Sequence, residues 1–267
     1  MKPYWSFFKL KFINGLQYRA AAYAGIATQF AWGFMYLMLY HSFYKSNPAA
    51  IPMEISQLAS YIWLQQSFLA LFMTWFLDND IFEAISSGNV AYELCRPLNL
   101  YNMWFARDCA TRFSKALLRC FPILIVASFL PGTYRFNGPA SFYSFFLFLI
   151  SMLIGAIVVV AYGMLVYILT FYTISPMGIR MTMVMLADFL SGGLVPLPLL
   201  PEWLTKYIYL SPFAAMQNTP FRIYSGNIPL NEGWQAILLQ GFWAVVLIIA
   251  GKAIMSKAIK KVIVQGG

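Results

Sequence analysis

The stretch FYSFFLFLISMLIGAIVVVAYGMLVY, residues 142–167, carries no acidic or basic side chain. A helix rises about 1.5 Å per residue and the hydrocarbon core of a bilayer is about 30 Å thick, so about 20 apolar residues suffice to cross it. This stretch is longer than that. The whole chain agrees with it: 267 residues, 61% hydrophobic and 18% aromatic, with charged residues at 10% against about 25% in a typical soluble domain. A soluble protein of this size has too little interior to hide so much apolar surface. The chain therefore reads as an all-α integral membrane protein.

Five further segments qualify on the same length argument: residues 21–43, 58–77, 116–130, 181–197 and 234–254. With 142–167 as the fourth, the expectation is six transmembrane helices. Residues 116–130 are short, and Lys115 and Arg119 can lengthen that span by snorkelling. Positive charge collects on the cytoplasmic side of membrane proteins. Here fourteen lysines and arginines fall in the N-terminal stretch, between spans two and three, between spans four and five, and at or after the end of span six. The opposite side holds Lys45, Arg135, Lys206 and Arg222. Both termini are thus expected in the cytoplasm, as an even span number requires. Topology accounts for the net charge of +9. The basic residues are spread over several juxtamembrane stretches, which disfavours a nucleic-acid partner.

The chain is expected to form one transmembrane domain, 1–267, with three polar or amphipathic parts. In the first, residues 1–20, Trp5, Phe8, Phe12 and Leu16 recur at helical spacing. They read as an interfacial helix on membrane lipid, or alternatively as a basic topogenic tail. No small-residue cleavage site follows, so no removable signal is expected. The second part, residues 78–114, is long for a plain connection. Asp78 or Asp80 can cap a short helix there, and Gly88 can stop it. Pro97 forces a break after Arg96. A second helix then runs from LYNMWF onward into span three. The third part, residues 198–232 between spans five and six, is too rich in Pro and Gly for one continuous helix. Two short re-entrant outer helices fit it, the second opening with Ser211 as cap and Pro212 at the first helical position. Trp203, Tyr207 and Tyr209 also fit a plain aromatic belt.

Asp188 is the one acid well inside an expected span. Intramembrane charge is expensive and marks function by default, so Asp188 is a pathway or interface candidate. It could face a wet cavity, bond a Ser or Tyr, or meet a partner. Cys95, Cys109 and Cys120 fit neither a zinc pattern nor a disulfide framework, and His41 stands alone, so no metal site is expected. A phosphate-binding GxxxxGK[ST] loop is absent, as are HExxH and GxSxG. The chain is not expected to be an enzyme or to bind a cofactor of its own.

The stretch ISSGNVAYELCRPLNLY, with its I-x-x-G-x-x-x-x-x-L-x-R-P pattern, resembles permease subunits of ABC-2 type ABC transporters, in particular a six-span bacterial subgroup. SGGLVPLPLLPEWL, residues 191–204, and LSPFAAMQNTPFRIYSG, residues 210–226, extend the resemblance over nearly the whole chain. The resemblance implies half of an ATP-driven exporter in the bacterial cytoplasmic (inner) membrane. A separate ABC ATPase subunit would hold ATP and magnesium, and a second permease, identical or paralogous, would complete the pathway. By the same resemblance Asp80, Phe82, Glu83, Ile85 and Gly88 lie in or beside a cytoplasmic coupling helix that docks on the ATPase. Arg96 and Pro97 would set how the loop returns to the membrane. The alternative is a channel or secondary transporter that works without an ATPase; such carriers usually show several intramembrane ionisable residues and repeated halves, and neither is evident here.

Overall fold

Every regular element in the computed structural model is helical among the described residues, which are 2–17, 19–46, 52–173 and 175–261. Met1 and Tyr18, part of the expected interfacial helix, lie outside them. So do residues 47–51, Ile174 and residues 262–267. The architecture is built around the helix that opened the sequence reading. Taking the helices as α1 (Lys2–Gln17), α2 (Arg19–Ser46), α3 (Ile55–Ser67), α4 (Leu69–Phe72), α5 (Asn79–Ser86), α6 (Val90–Leu94), α7 (Leu100–Ser128), α8 (Phe142–Thr170), α9 (Pro176–Leu190), α10 (Glu202–Ile208), α11 (Asn218–Ser225) and α12 (Leu230–Ala258), α8 is the central one.

The Ser141 side chain caps α8 by accepting from the Ser144 backbone N–H at 3.0 Å. Side chains along most of its length are buried, and α12 packs alongside. These two helices, 29 residues each, are long and apolar enough to cross a membrane. In lipid the hydrophobic effect does not pull helices together, so close packing and interhelical hydrogen bonds must do so. Gln240 of α12 is fully buried and supplies such bonds. Its Oε1 accepts from Ser151 Oγ of α8 at 2.7 Å, and its Nε2 donates to the Ala215 carbonyl at 2.8 Å. On the other side of the molecule Phe30 and Phe34 of α2 meet Trp63 of α3 edge to face.

Several expected spans fall on single helices. Residues 21–43 lie within α2, and α7 runs unbroken through Pro122 from the polar segment to Ser128. Residues 58–77 do not form the expected single helix. The chain breaks at Phe68, resumes as α4 and stops at Phe72. Arg112 of α7 is the physical reason the chain leaves the helix after Phe72. Its guanidinium is fully buried and donates to the carbonyls of Leu71 (3.2 Å), Met73 (2.8 Å) and Phe76 (2.8 Å). Carbonyls that a helix end leaves unpaired are satisfied by this one side chain, so residues 73–77 can leave the helix inside the protein. Asp108 neutralises the guanidinium at 3.0 Å, one turn earlier on α7. Arg112 is thus a buried structural cation as well as part of a positive sequence pattern.

The helix expected over 181–197 is displaced. It starts at Pro176 and ends at Leu190, because Ser191 and Gly192 turn the chain. Its 15 residues rise about 22 Å. Asp188 consequently sits in the last turn rather than mid-helix.

Residues 198–232 do contain two short helices, α10 and α11, but the second begins later than the Ser211–Pro212 signal suggests. Residues 212–217 are turns, and α11 starts at Asn218 with Pro220 in its first turn. The backbone is held by other partners there: the Ala214 carbonyl accepts from both the Thr219 N–H (3.2 Å) and Thr219 Oγ1 (3.0 Å), and Ala215 is tied to Gln240. Gly155 of α8 lets the Met216 carbonyl approach so closely that a Cβ would lie 2.3 Å from its oxygen. Every residue from 214 to 221 is buried. Non-helical backbone at membrane depth is tolerated only where protein or a wet cavity surrounds it, and this turn meets that condition.

At the far end of the molecule α1 lies along α7 through Tyr4, Phe7 and Gly15. Trp5, Phe8 and Phe12 form a stacked row with ring centroids 5.4 and 5.9 Å apart, and Trp5 stays exposed.

Candidate functional site

The polar segment folds into two short helices bent back on each other. Asp78 caps α5, accepting from the Asp80 backbone N–H at 3.0 Å. With Asp80 in the first turn, the start of α5 carries two acids where the helix dipole favours them. Gly88 ends the helix with φ 77°, in the left-handed region, and α6 begins two residues later. Within α5 one face is apolar: Ile81 and Phe82 are buried and Ile85 is half-buried.

That inner face is fastened to three other helices. Arg107 of α7 meets Asp78 Oδ2 and Asp80 Oδ2, each at 2.6 Å. The Asp80 side chain is 78% exposed, so its bond contributes little, about 0–1 kcal/mol; the Asp78 contact is better shielded. Tyr167 of α8 accepts the Asp78 N–H at 2.6 Å, and its ring packs 5.0 Å from that of Phe82. Arg180 of α9 donates to Asn79 Oδ1 at 2.7 Å and covers the outer face of Phe82 at 5.1 Å. The adjoining α6 is pinned by Val90, fully buried, and by Glu93, whose carboxylate accepts from Trp104 Nε1 at 2.6 Å. Trp104 stacks on Phe171. The return to α7 is tied to α1, since the Asn99 N–H donates to Tyr4 Oη at 2.8 Å.

Among the residues picked from sequence, the structure brings Asp80, Phe82, Glu83, Ile85 and Gly88 together on α5 and its terminal turn. They do not share a face. Phe82 points into the protein, whereas Asp80 and Glu83 are exposed. Arg96 and Pro97 lie apart from them in an exposed turn closed by a Leu98 N–H to Arg96 carbonyl bond of 2.7 Å. Asp188 is far along the chain on α9 and has no part in this cluster.

The sequence reading missed Arg107, Tyr167 and Arg180 as partners of α5, and Tyr92 as its most exposed aromatic neighbour (76% exposed). Two acids at the start of a short helix do demand cations nearby. Nothing in the linear pattern says which of the many juxtamembrane arginines supplies them.

The arrangement is a short helix bonded to α7, α8 and α9, whose outer ridge, Glu83, Ser86 and Ser87, is open, with Tyr92 exposed on the following α6. A family model described as ABC-2 family transporter protein matches residues 30–266, leaving α1 outside. No curated protein matches the chain.

Proposed function

The chain belongs to the ABC-2 transporter family, a membrane transport component, and on that premise we propose that it is the permease half of an ATP-driven exporter. Six passages of the membrane follow from α2, α3 with α4, the second half of α7, α8, α9 and α12. The broken second passage and the short fifth one are completed by non-helical backbone that the protein buries in part. The α5–α6 segment then faces the cytoplasm of a bacterial cell, from the inner membrane. The basic cavity of about 320 Å³ between α1 and α7, lined by Lys11, Lys115 and Arg119, supports that orientation, because positive charge favours the cytoplasmic side. The outward aromatic row of α1 suits the same interface.

Coupling rests on α5. Its inner face moves with α7, α8 and α9, its outer ridge offers a carboxylate and two hydroxyls to an ABC ATPase, and α6 adds an exposed tyrosine. Tyr92 is the anchor of that contact, since an exposed aromatic in a polar setting is the residue type that dominates interfaces. ATP and magnesium belong to the partner, and a second permease closes the pathway. The single observation that carries this reading is the two-faced α5 on a chain of this family.

The test is gentle solubilisation of the tagged chain followed by an ATPase assay of what co-purifies. An ATPase is expected with the wild type, lost with Tyr92→Ala and Glu83→Lys, while Phe82→Ala disturbs folding first. An ATPase-free protein that still moves solute in vesicles would overturn the reading.

A further inference from the structure

A cavity of about 380 Å³ lies between α2, α3 and the end of α9, away from the coupling segment. Its polar walls come from Gln29, Gln65, Gln217 and Asp188, and its aromatic walls from Trp32, Tyr36 and Trp75. Trp32 and Trp75 are about half exposed, so the cavity reaches the surface. Among the described residues no lysine, arginine or histidine lines it.

Two of the four amides that line the cavity have their donors committed. Gln65 Nε2 donates to the carbonyls of Gly192 (3.1 Å) and Gly193 (2.8 Å), and Gln217 Nε2 donates to Ser191 Oγ (3.4 Å). Gln29, Gln66 and Tyr36 add further donors, and two acceptors stand without partners among the described residues. Gln29 is 6% exposed, and its Oε1 is buried with no hydrogen-bond partner among the described residues. The Asp188 carboxylate has no ion pair among them. A buried acceptor without a donor is costly, and a carboxylate at membrane depth more so. Both costs fall if a cation enters. Aromatic faces around it complete the fit, because ring quadrupoles attract cations and do so most strongly away from water.

We infer that this cavity binds an organic cation, an amine or quaternary ammonium on an apolar body, with Asp188 as counter-ion, Gln29 as hydrogen-bond or dipole partner and the indole rings as walls. The inference rests on the exporter reading in that it names the class of molecule carried.

Ethidium is the probe, titrated into the purified wild-type chain by fluorescence anisotropy, with the neutral dye Nile red as control. Saturable ethidium binding is expected, weakened at least about tenfold by the isosteric Asp188→Asn and severalfold by Gln29→Met. Nile red should bind all three alike. Gln29→Met removes an unpaired buried amide, so it keeps the fold even if Asp188→Asn does not. No saturable ethidium binding, equal affinity in Asp188→Asn, or a parallel loss of Nile red would each overturn the inference. So would a wild type that binds no ethidium and is a dimer which Asp188→Asn dissociates, since the carboxylate then serves a second copy. Absence of a co-purifying ATPase together with intact, Asp188-dependent ethidium binding would overturn the exporter reading and uphold the cation site.

Discussion

Arg112 shows how much one side chain can carry. It is read from sequence as one positive charge among many, yet it holds three backbone carbonyls and a carboxylate in full burial. The linear pattern could not reveal this, because an arginine at the edge of a span and an arginine inside the protein look the same in a hydropathy profile. Removing it leaves Asp108 unpaired and the carbonyls of Leu71, Met73 and Phe76 without this donor. For a buried pair broken from one side the cost is about 3–5 kcal/mol. Arg112→Met should therefore lower the thermal unfolding midpoint in detergent well below that of the wild type, and Asp108→Asn in the same chain should restore part of it. An unchanged midpoint in the single variant would show that water reaches those carbonyls.

At the scale of elements, long uniform helices were legible and interrupted ones were not. Residues 142–167 and 234–254 are long and mostly apolar, so length and composition placed α8 and α12. The stop after Phe72, the turn that ends α9 and the late start of α11 are held by hydrogen bonds from Arg112, Gln65 and Gln240. Local propensity has no access to such bonds. For α5 the cap, the apolar face and the stop were all visible, and its arginine and tyrosine partners were not. Gly88 allows a test at this scale. A Cβ there would meet nothing within 4 Å, but φ is 77°. Space is available and the conformation is the obstacle. Asparagine tolerates the left-handed region and β-branched residues do not. Gly88→Asn should leave transport near normal, whereas Gly88→Val should insert at normal levels and lose coupled transport, measured as solute efflux in vesicles with the partner ATPase present. Equal efflux in the two variants would refute a role for this turn.

For the whole molecule, the question is which way it faces. Cys95 is exposed in the loop beyond α6, whereas Cys109 and Cys120 are screened by packing. Burial pushes the Cys109 thiol up to about 12, with the Asp108 carboxylate beside it adding to the effect, so thiolate at that site is scarce at neutral pH. A membrane-impermeant maleimide should label Cys95 alone, in inverted vesicles and not in intact cells, and the label should fall when an ATPase is bound. Labelling of intact cells would reverse the orientation. The buried turn at residues 212–217 bears on how such a molecule is made. Its Ala215 carbonyl is satisfied by Gln240, on the last long helix of the chain, while the α8 surface beneath it is synthesised some sixty residues earlier. During synthesis the turn has its floor before it has its lid. A chain arrested ahead of α12 would hold an unpaired carbonyl against lipid, a defect by which quality control can tell an unfinished protein from a finished one.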